Sequence, residues 1–208
     1  MAKQIKRFSF PVDEARYDWL RILLDAYYIV DIGSAEGLVK EERKRKSKVA
    51  CHKGCHNCCL KPSVPITPLE IQGLSWFSSE KLKNPLRQVV KKQLFKHKQT
   101  TQCPFLVERL CAIYPVRPIA CRHYFVFGLP CEPDEDPFLT RTKDIWSPGR
   151  EVAQKASFEM LPFYGITDKN KQLIAFESGY ILNISEQMHT LDWTAIGYAI
   201  ELFDSVGS

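Results

Sequence analysis

Between Asp13 and about Lys46, Leu20, Leu23, Tyr27, Val30 and Leu38 recur at near-helical spacing, which predicts one long helix or two, opening at Asp13 as N-cap. Gly33 and Gly37 interrupt that pattern and predict a break or kink. Pro62 and Pro65 predict extended backbone ahead of Thr67-Pro68-Leu69-Glu70. That tetrapeptide has the form of a capping box with proline at the first helical position, and predicts a helix to Phe77 or just beyond. Asn84-Pro85 opens another, Leu86 to about Lys98, with Leu86, Val89, Val90 and Leu94 inward and Lys91, Lys92, Lys96 and Lys98 outward. Ser147-Pro148 leads a third through Val152, Ala156 and Met160. Leu173 to Ile184 reads equally as helix or strand, and Leu191 to Val206 as a closing amphipathic helix.

Two stretches have neither period. Cys51 to Cys59, CHKGCHNCC, places four cysteines and two histidines in nine residues. Cys103 to Cys131 is apolar, carries four prolines, and spaces its cysteines at gaps of eight, ten and ten residues. Proline-stiffened, irregular backbone with repeated thiols suits a ligand-bearing loop system better than a helix. The whole reads as a mainly α, irregular helical domain wrapped around a cysteine-ligated metal centre. It forms one domain over residues 1–208, with an N-terminal helical region (13–46), a cysteine-rich metal-binding core (51–131) and a C-terminal mainly helical region (147–208).

Composition changes this picture only in part. A chain of 208 residues with 45% apolar and 25% charged residues can bury a core without covalent staples. The cysteines are therefore not needed to rescue a small fold. The N-terminus MAKQIKRFSF is basic but gives way to Pro11 and the charged stretch Asp13 to Arg16, so no signal peptide is expected. Leu20 to Ile32 and Leu173 to Ile184 are short and broken by charges, so no membrane span is expected. These features imply a cytoplasmic, reducing setting, where thiols serve metals or catalysis more than disulfides. Of the net charge of +5, Lys40 to Lys48 (KEERKRKSK) supplies six basic minus two acidic residues, or +4. Glu41 and Glu42 interrupt the run, which reads as a solvated helix end complementing the macrodipole, and nucleic acid is disfavoured as a partner.

Thiolates are soft ligands, and the loops Cys51-x3-Cys55 and Cys55-x2-Cys58 are short enough to bring them onto one metal, with Gly54 allowing a tight turn. Adjacent side chains diverge in most backbone conformations, so Cys58 and Cys59 point to two metals, to different irons of one cluster, or to one spectator. Eight cysteines divide into two four-cysteine zinc sites or into one four-cysteine iron-sulfur cluster with thiols to spare. His52, His56 and His123 are alternative ligands, whereas His97 and His189 stand apart from the other candidates. Arg117 and Arg122 are candidates to donate to thiolates or sulfides and offset their charge, the competing reading being ion pairs with Glu108 or Glu132.

The series C-x3-C-x2-C-C at Cys51, Cys55, Cys58 and Cys59, Thr67-Pro68-x-Glu70, Cys103-Pro104-Phe105-Leu106, Cys111-x-Ile113-Tyr114 and Arg117-Pro118-x2-Cys121-Arg122 resembles the YkgJ-like cysteine-cluster family. The resemblance covers about residues 51 to 124 and implies a zinc- or iron-chelating domain. It implies metal ligands at Cys51, Cys55, Cys58, Cys59, Cys103, Cys111 and Cys121, and leaves Cys131 as an extra ligand or a free thiol. Flagellin lysine N-methylases are similar in carrying this kind of motif, there associated with an iron-sulfur centre. No glycine-rich strand-to-helix turn here identifies a methyl-donor pocket.

Three functions follow as expectations. The first is a metal-binding protein with an iron-sulfur centre, slightly favoured over zinc, acting as a redox or radical-type enzyme with Cys59 or Cys131 as a reactive thiol. The second is a zinc-stabilised interaction module for a protein partner or nucleic acid, and the third is metal storage or delivery.

Overall fold

A short helix, α1 (Pro11–Arg16), leads into the 28-residue α2 (Asp18–Arg45), against which much of the chain packs. The computed structural model describes residues 5–60, 63–133 and 135–206; the extended backbone expected at Pro62 lies outside them. The single start expected at Asp13 is divided in two. Tyr17 adopts extended backbone between the helices, and Asp13 lies inside α1, where it pairs with Lys81 at 2.7 Å instead of capping.

After β1 (Pro65–Ile66), α3 (Pro68–Trp76) begins with the expected capping box: the Thr67 hydroxyl accepts from the Glu70 amide at 3.2 Å, and the Glu70 carboxylate accepts from the Thr67 amide at 2.9 Å. The helix continues as a wider turn over Phe77–Lys81 before α4 (Leu86–Lys96). The irregular region follows: β2 (Leu106–Val107), β3 (Leu110–Cys111), α5 (Ile119–Arg122), β4 (Phe125–Val126), α6 (Pro137–Thr140) and β5 (Ile145–Trp146). The C-terminal part is α7 (Arg150–Met160), α8 (Lys169–Glu177), α9 (Tyr180–Asn183), β6 (Glu186–Gln187) and α10 (Thr194–Val206). The ambiguous stretch from Leu173 is thus helical, and the fold is mainly α. The strands form three antiparallel two-residue ladders, β1 with β6, β2 with β3 and β4 with β5. No helix among the described residues is long and apolar enough to cross a membrane.

Leu20, Leu23, Leu24 and Tyr27 of α2 meet Ile66, Leu69 and Leu74 of the α3 region, Val90 and Leu94 of α4, Phe105, Ile113 and Val116 of the irregular region, and Trp193, Ile196 and Ile200 near the C-terminus in one buried cluster. Burying such side chains contributes about 1.5–3 kcal/mol each, and this cluster draws on every part of the chain.

Gly33 and Gly37 do not break α2. A Cβ at Gly33 would sit 2.5 Å from Val152, and one at Gly37 would sit 2.5 Å from the Trp146 ring. Both glycines are docking positions, at which α7 and β5 approach the helix axis too closely for a side chain. The basic run that ends α2 is a solvated, internally paired terminus: Arg45 reaches Glu41 at 2.7 Å, Lys48 reaches Glu42 at 2.9 Å, and Lys46 closes the helix in a left-handed conformation.

Gly33→Ala is expected to lower stability by about 1–3 kcal/mol despite alanine's better helix propensity, because β-branched Val152 cannot swing away. Urea unfolding of Gly33→Ala, Val152→Ala and the double variant checks this. The double variant should regain part of the loss; purely additive effects would show that the two positions do not press on each other.

Candidate metal centre

The cysteine-bearing backbone is held by two buried charges. Glu70, almost fully buried, accepts from the amide and hydroxyl of Thr67, both at 2.9 Å, with one carboxylate oxygen and from the Ile119 amide at 2.7 Å with the other. The capping residue of α3 therefore also anchors the first turn of α5, two residues before Cys121. Arg122, 1% exposed, donates to Asp31 of α2 at 2.7 Å and to the carbonyls of Pro115 and Arg117 at 2.6 and 2.8 Å, with its guanidinium 4.0 Å from the centre of the Tyr27 ring. The Tyr27 hydroxyl donates to the Val116 carbonyl at 3.2 Å and the Ser34 hydroxyl to the Arg122 carbonyl at 3.4 Å. The segment from Pro115 to Arg122 is thus moored to α2 and α3 from both sides.

The thiols sit on short, hydrogen-bonded segments. Ala50 donates to the Val126 carbonyl at 2.7 Å and the Val126 amide meets the Cys51 sulfur at 3.4 Å, so Cys51 lies against β4. Gly54, at a φ of 86°, turns the chain so that the Cys55 amide reaches the His52 carbonyl at 3.0 Å. Cys58 and Cys59 occupy one 3₁₀ turn, Asn57–Cys59, whose last carbonyl accepts from the Cys103 amide at 2.8 Å. Cys103 opens the loop that leads to the β2–β3 hairpin carrying Cys111, and Cys121 lies in α5. The turn between β2 and β3 places Glu108 and Arg109 at φ of 48° and 64°, where asparagine and glycine are the usual occupants. Asn57 donates its side-chain amide to the Cys131 carbonyl, which ties Cys131 back to the first cysteine run.

All eight cysteines are free; Cys58 is exposed and the others are half-buried. Burial raises the thiols of Cys51, to about 11, and of Cys103, to about 12, and also raises Cys111, Cys121 and Cys131. Mutual influence sorts them into two sets. Cys51 is raised further by Cys55, Cys58 and Cys131, and Cys131 by Cys55 and Cys58. Cys121 is raised by Cys58, Cys103 and Cys111, and Cys59 by Cys58, Cys103 and Cys121. Cys55, Cys51 and Cys131 thus form an outer set, and Cys59, Cys103, Cys111 and Cys121 an inner one. Cys58 is within electrostatic reach of both. It accepts a hydrogen bond from the Cys59 thiol, which lowers Cys58 and raises Cys59, and Arg117 lowers Cys58 further. Among the described residues no three His, Cys, Asp or Glu side chains are gathered tightly enough to hold a metal ion as they stand. The donor chemistry nonetheless fits a thiophilic metal: free, soft, mutually influencing thiols, with Phe105 and Ile113 buried beside them and the Arg117 cation to offset charge.

The remaining candidates are placed as follows. Arg117 stacks 4.2 Å from the centre of the Tyr114 ring, and its charge acts on Cys58, Cys111 and Cys121. Arg122 acts on Cys111, but its carboxylate partner is Asp31, and neither Glu108 nor Glu132 plays that part. His52 and His56 each direct Nδ1 to a backbone carbonyl two residues back, at 2.9 and 3.1 Å. Because a carbonyl only accepts, Nδ1 is the donor in each of these bonds. His123 faces a cavity between α5 and α7. Cys131, left open from sequence, joins the outer set; its gap of ten residues from Cys121 repeats the gap between Cys111 and Cys121, the one signal that pointed to it. The loop after it is closed by Arg141, which pairs with Glu135 at 2.7 Å and holds that carboxyl down at about 2. Glu70 and Asp31 were not read as parts of the site.

Residues 50–144, less than half of the chain, match the model of the CxxCxxCC family, whose description is "Putative zinc- or iron-chelating domain". The match agrees with the YkgJ-like resemblance and takes in all eight cysteines, Cys131 included. No curated protein and no solved structure matches the chain.

Arg122→Met is expected to cost about 3 kcal/mol of stability, since it strands Asp31 and two carbonyls. Arg117→Met should leave the unfolding midpoint nearly unchanged but weaken zinc binding about tenfold. Denaturant unfolding and competition with a chromophoric chelator separate the two roles; equal losses of stability would refute the division. A second expectation concerns Glu70, which burial raises above the ordinary carboxyl range. A carboxyl raised on folding stabilises the fold below its unfolded pKa and loses that contribution as pH rises through the folded value. The stability of Glu70→Gln relative to the unsubstituted chain should therefore improve as the pH rises above about 4. A constant difference in urea midpoints across that range would count against it.

Proposed function

Taking as premise that residues 50–144 carry a zinc- or iron-chelating CxxCxxCC domain, we propose that the eight thiols form one polynuclear centre in which Cys58 joins the inner and outer sets. The observation that carries this reading is the position of Cys58, within electrostatic reach of the inner and the outer set alike. A thiolate so placed can bridge two metals, or bind one iron of a cluster whose other irons are held by its neighbours. We further propose iron and sulfide as the occupants and a redox or radical reaction as the role; a bound iron-sulfur cluster would supply one-electron chemistry. The chain's own part is to exclude water from the inner set and to place the Arg117 cation against it. Metal entry must displace protons from thiols that burial has raised, so uptake strengthens with pH.

A specific observation favours a second reading, a zinc-stabilised module for a protein partner. Leu129 and Leu139, 78% and 83% exposed, flank the loop that carries Cys131, so apolar surface lies beside the outer set. The basic run Lys40 to Lys48 contributes less to such a surface than its sequence suggests, because Arg45 and Lys48 are paired with Glu41 and Glu42.

Iron, zinc and acid-labile sulfide measured on protein purified without oxygen, together with a visible spectrum, decide between these. Iron with sulfide, broad brown absorption and at least two metal atoms per chain are expected, with Cys58→Ser lowering the metal count. Zinc without colour would remove the redox role and leave the module. A single metal ion per chain, unchanged in Cys58→Ser, would overturn the polynuclear centre.

A further inference from the structure

A cavity of about 380 Å³ lies where the C-terminal helices meet the cysteine-rich segment, walled by α2, the start of α3, α5, α7 and the α8–α9 turn. Its size is within the range of small-molecule sites, and its lining is mainly apolar, with Val30, Ile119, Met160, Phe176 and Ile181 among the contributors. Small residues keep it open: Ala120 on α5, Ala153 and Ala156 on α7, and Gly179, which is held at a φ of 70°.

The polar groups that face it define what it can take. His123 has no protein hydrogen-bond partner among the described residues, so its ring looks into an apolar space with its nitrogens unengaged. Glu70 also lines the cavity, but its oxygens are engaged by Thr67 and Ile119. No lysine or arginine lines the wall. An anionic ligand would therefore be buried beside a carboxyl with no cation to meet it, which is prohibitive. An uncharged molecule with one hydrogen-bonding group has an unengaged partner in His123 and mainly apolar contact elsewhere.

We propose that this cavity is a binding site for a small, uncharged, mainly apolar molecule, an aromatic or alicyclic alcohol, ketone or amide, whose polar group bonds to His123. The site goes beyond the metal reading and does not depend on which metal is bound. It does share a wall with it, since Ile119, Ala120 and His123 flank Cys121 in and just after α5.

The test uses the whole chain as purified and three probes, 1-naphthol, cyclohexanone and benzamide, followed by saturation-transfer NMR. At least one should bind saturably at one site per chain. Ala153→Trp and Leu182→Trp, both at exposed positions on the cavity's edge, should each weaken that binding at least tenfold while leaving the circular dichroism unchanged. His123→Phe, which keeps the ring and removes the hydrogen bond, should weaken it as well, and sodium 1-naphthoate should not compete. The proposal is overturned if none of the probes binds, if binding survives both tryptophan substitutions, or if 1-naphthoate competes as well as 1-naphthol. Should one tryptophan variant fail to fold, the other decides.

Discussion

The burial of Arg122 constrains the rest of the structure. A guanidinium cannot be deprotonated to escape an apolar interior, so its donors must be met wherever it is placed. Here they are met by Asp31 from α2 and by the carbonyls of Pro115 and Arg117, with the Tyr27 ring covering one face. Satisfying one side chain thus fixes the path of the chain on either side of Val116 and presses it onto a helix 91 residues earlier in sequence. The cysteine-rich segment depends on α2 for its shape, although α2 lies outside the stretch that matches the metal-chelating family.

Glu70 completes the arrangement with the opposite sign. It holds the start of α5 at Ile119 while Arg122 holds its end, so the single turn that carries Cys121 hangs between two buried charges. Each charge lowers the cost of burying the other, and Arg122 offsets part of the rise that desolvation imposes on Glu70. The same dry surroundings raise the inner thiols. Scaffold and thiols are therefore coupled through the dielectric as well as through the backbone, since whatever admits water to α5 relaxes both.

Which features could be read from the sequence follows from the distance over which each is determined. The capping box at Thr67 and Glu70 is a four-residue signal and forms as expected, yet the second bond of Glu70, to Ile119, depends on a segment 49 residues away and carries no local mark. Gly33 and Gly37 show the converse. As local signals they indicate a break in α2, whereas the close approach of Val152 and Trp146 is what requires them, and that is settled only by tertiary packing. Arg122 could be singled out by its place in the motif, but its true partner, Asp31, lies in a helix that supplies no cysteine. Cys131 had its spacing as a signal; the contact from Asn57 that draws it toward Cys51 and Cys55 did not.

The two thiol sets also differ in how firmly they are held, and this bears on what each can do. Cys111 and Cys121 lie in segments tied to the core through Ile113, Val116, Glu70 and Arg122, and opening them would disturb packing throughout the chain. Cys51, Cys55 and Cys131 sit on turns and a loop closed by surface contacts, among them the Arg141–Glu135 pair and the short ladder between β4 and β5. Local opening costs least where few apolar contacts must be broken. The outer set is therefore the side that opens at least cost, and Cys58 beside it is the most exposed of the eight thiols. The Cys59 thiol and the Arg117 cation both lower its pKa, so the thiol nearest to solvent is also held toward the thiolate.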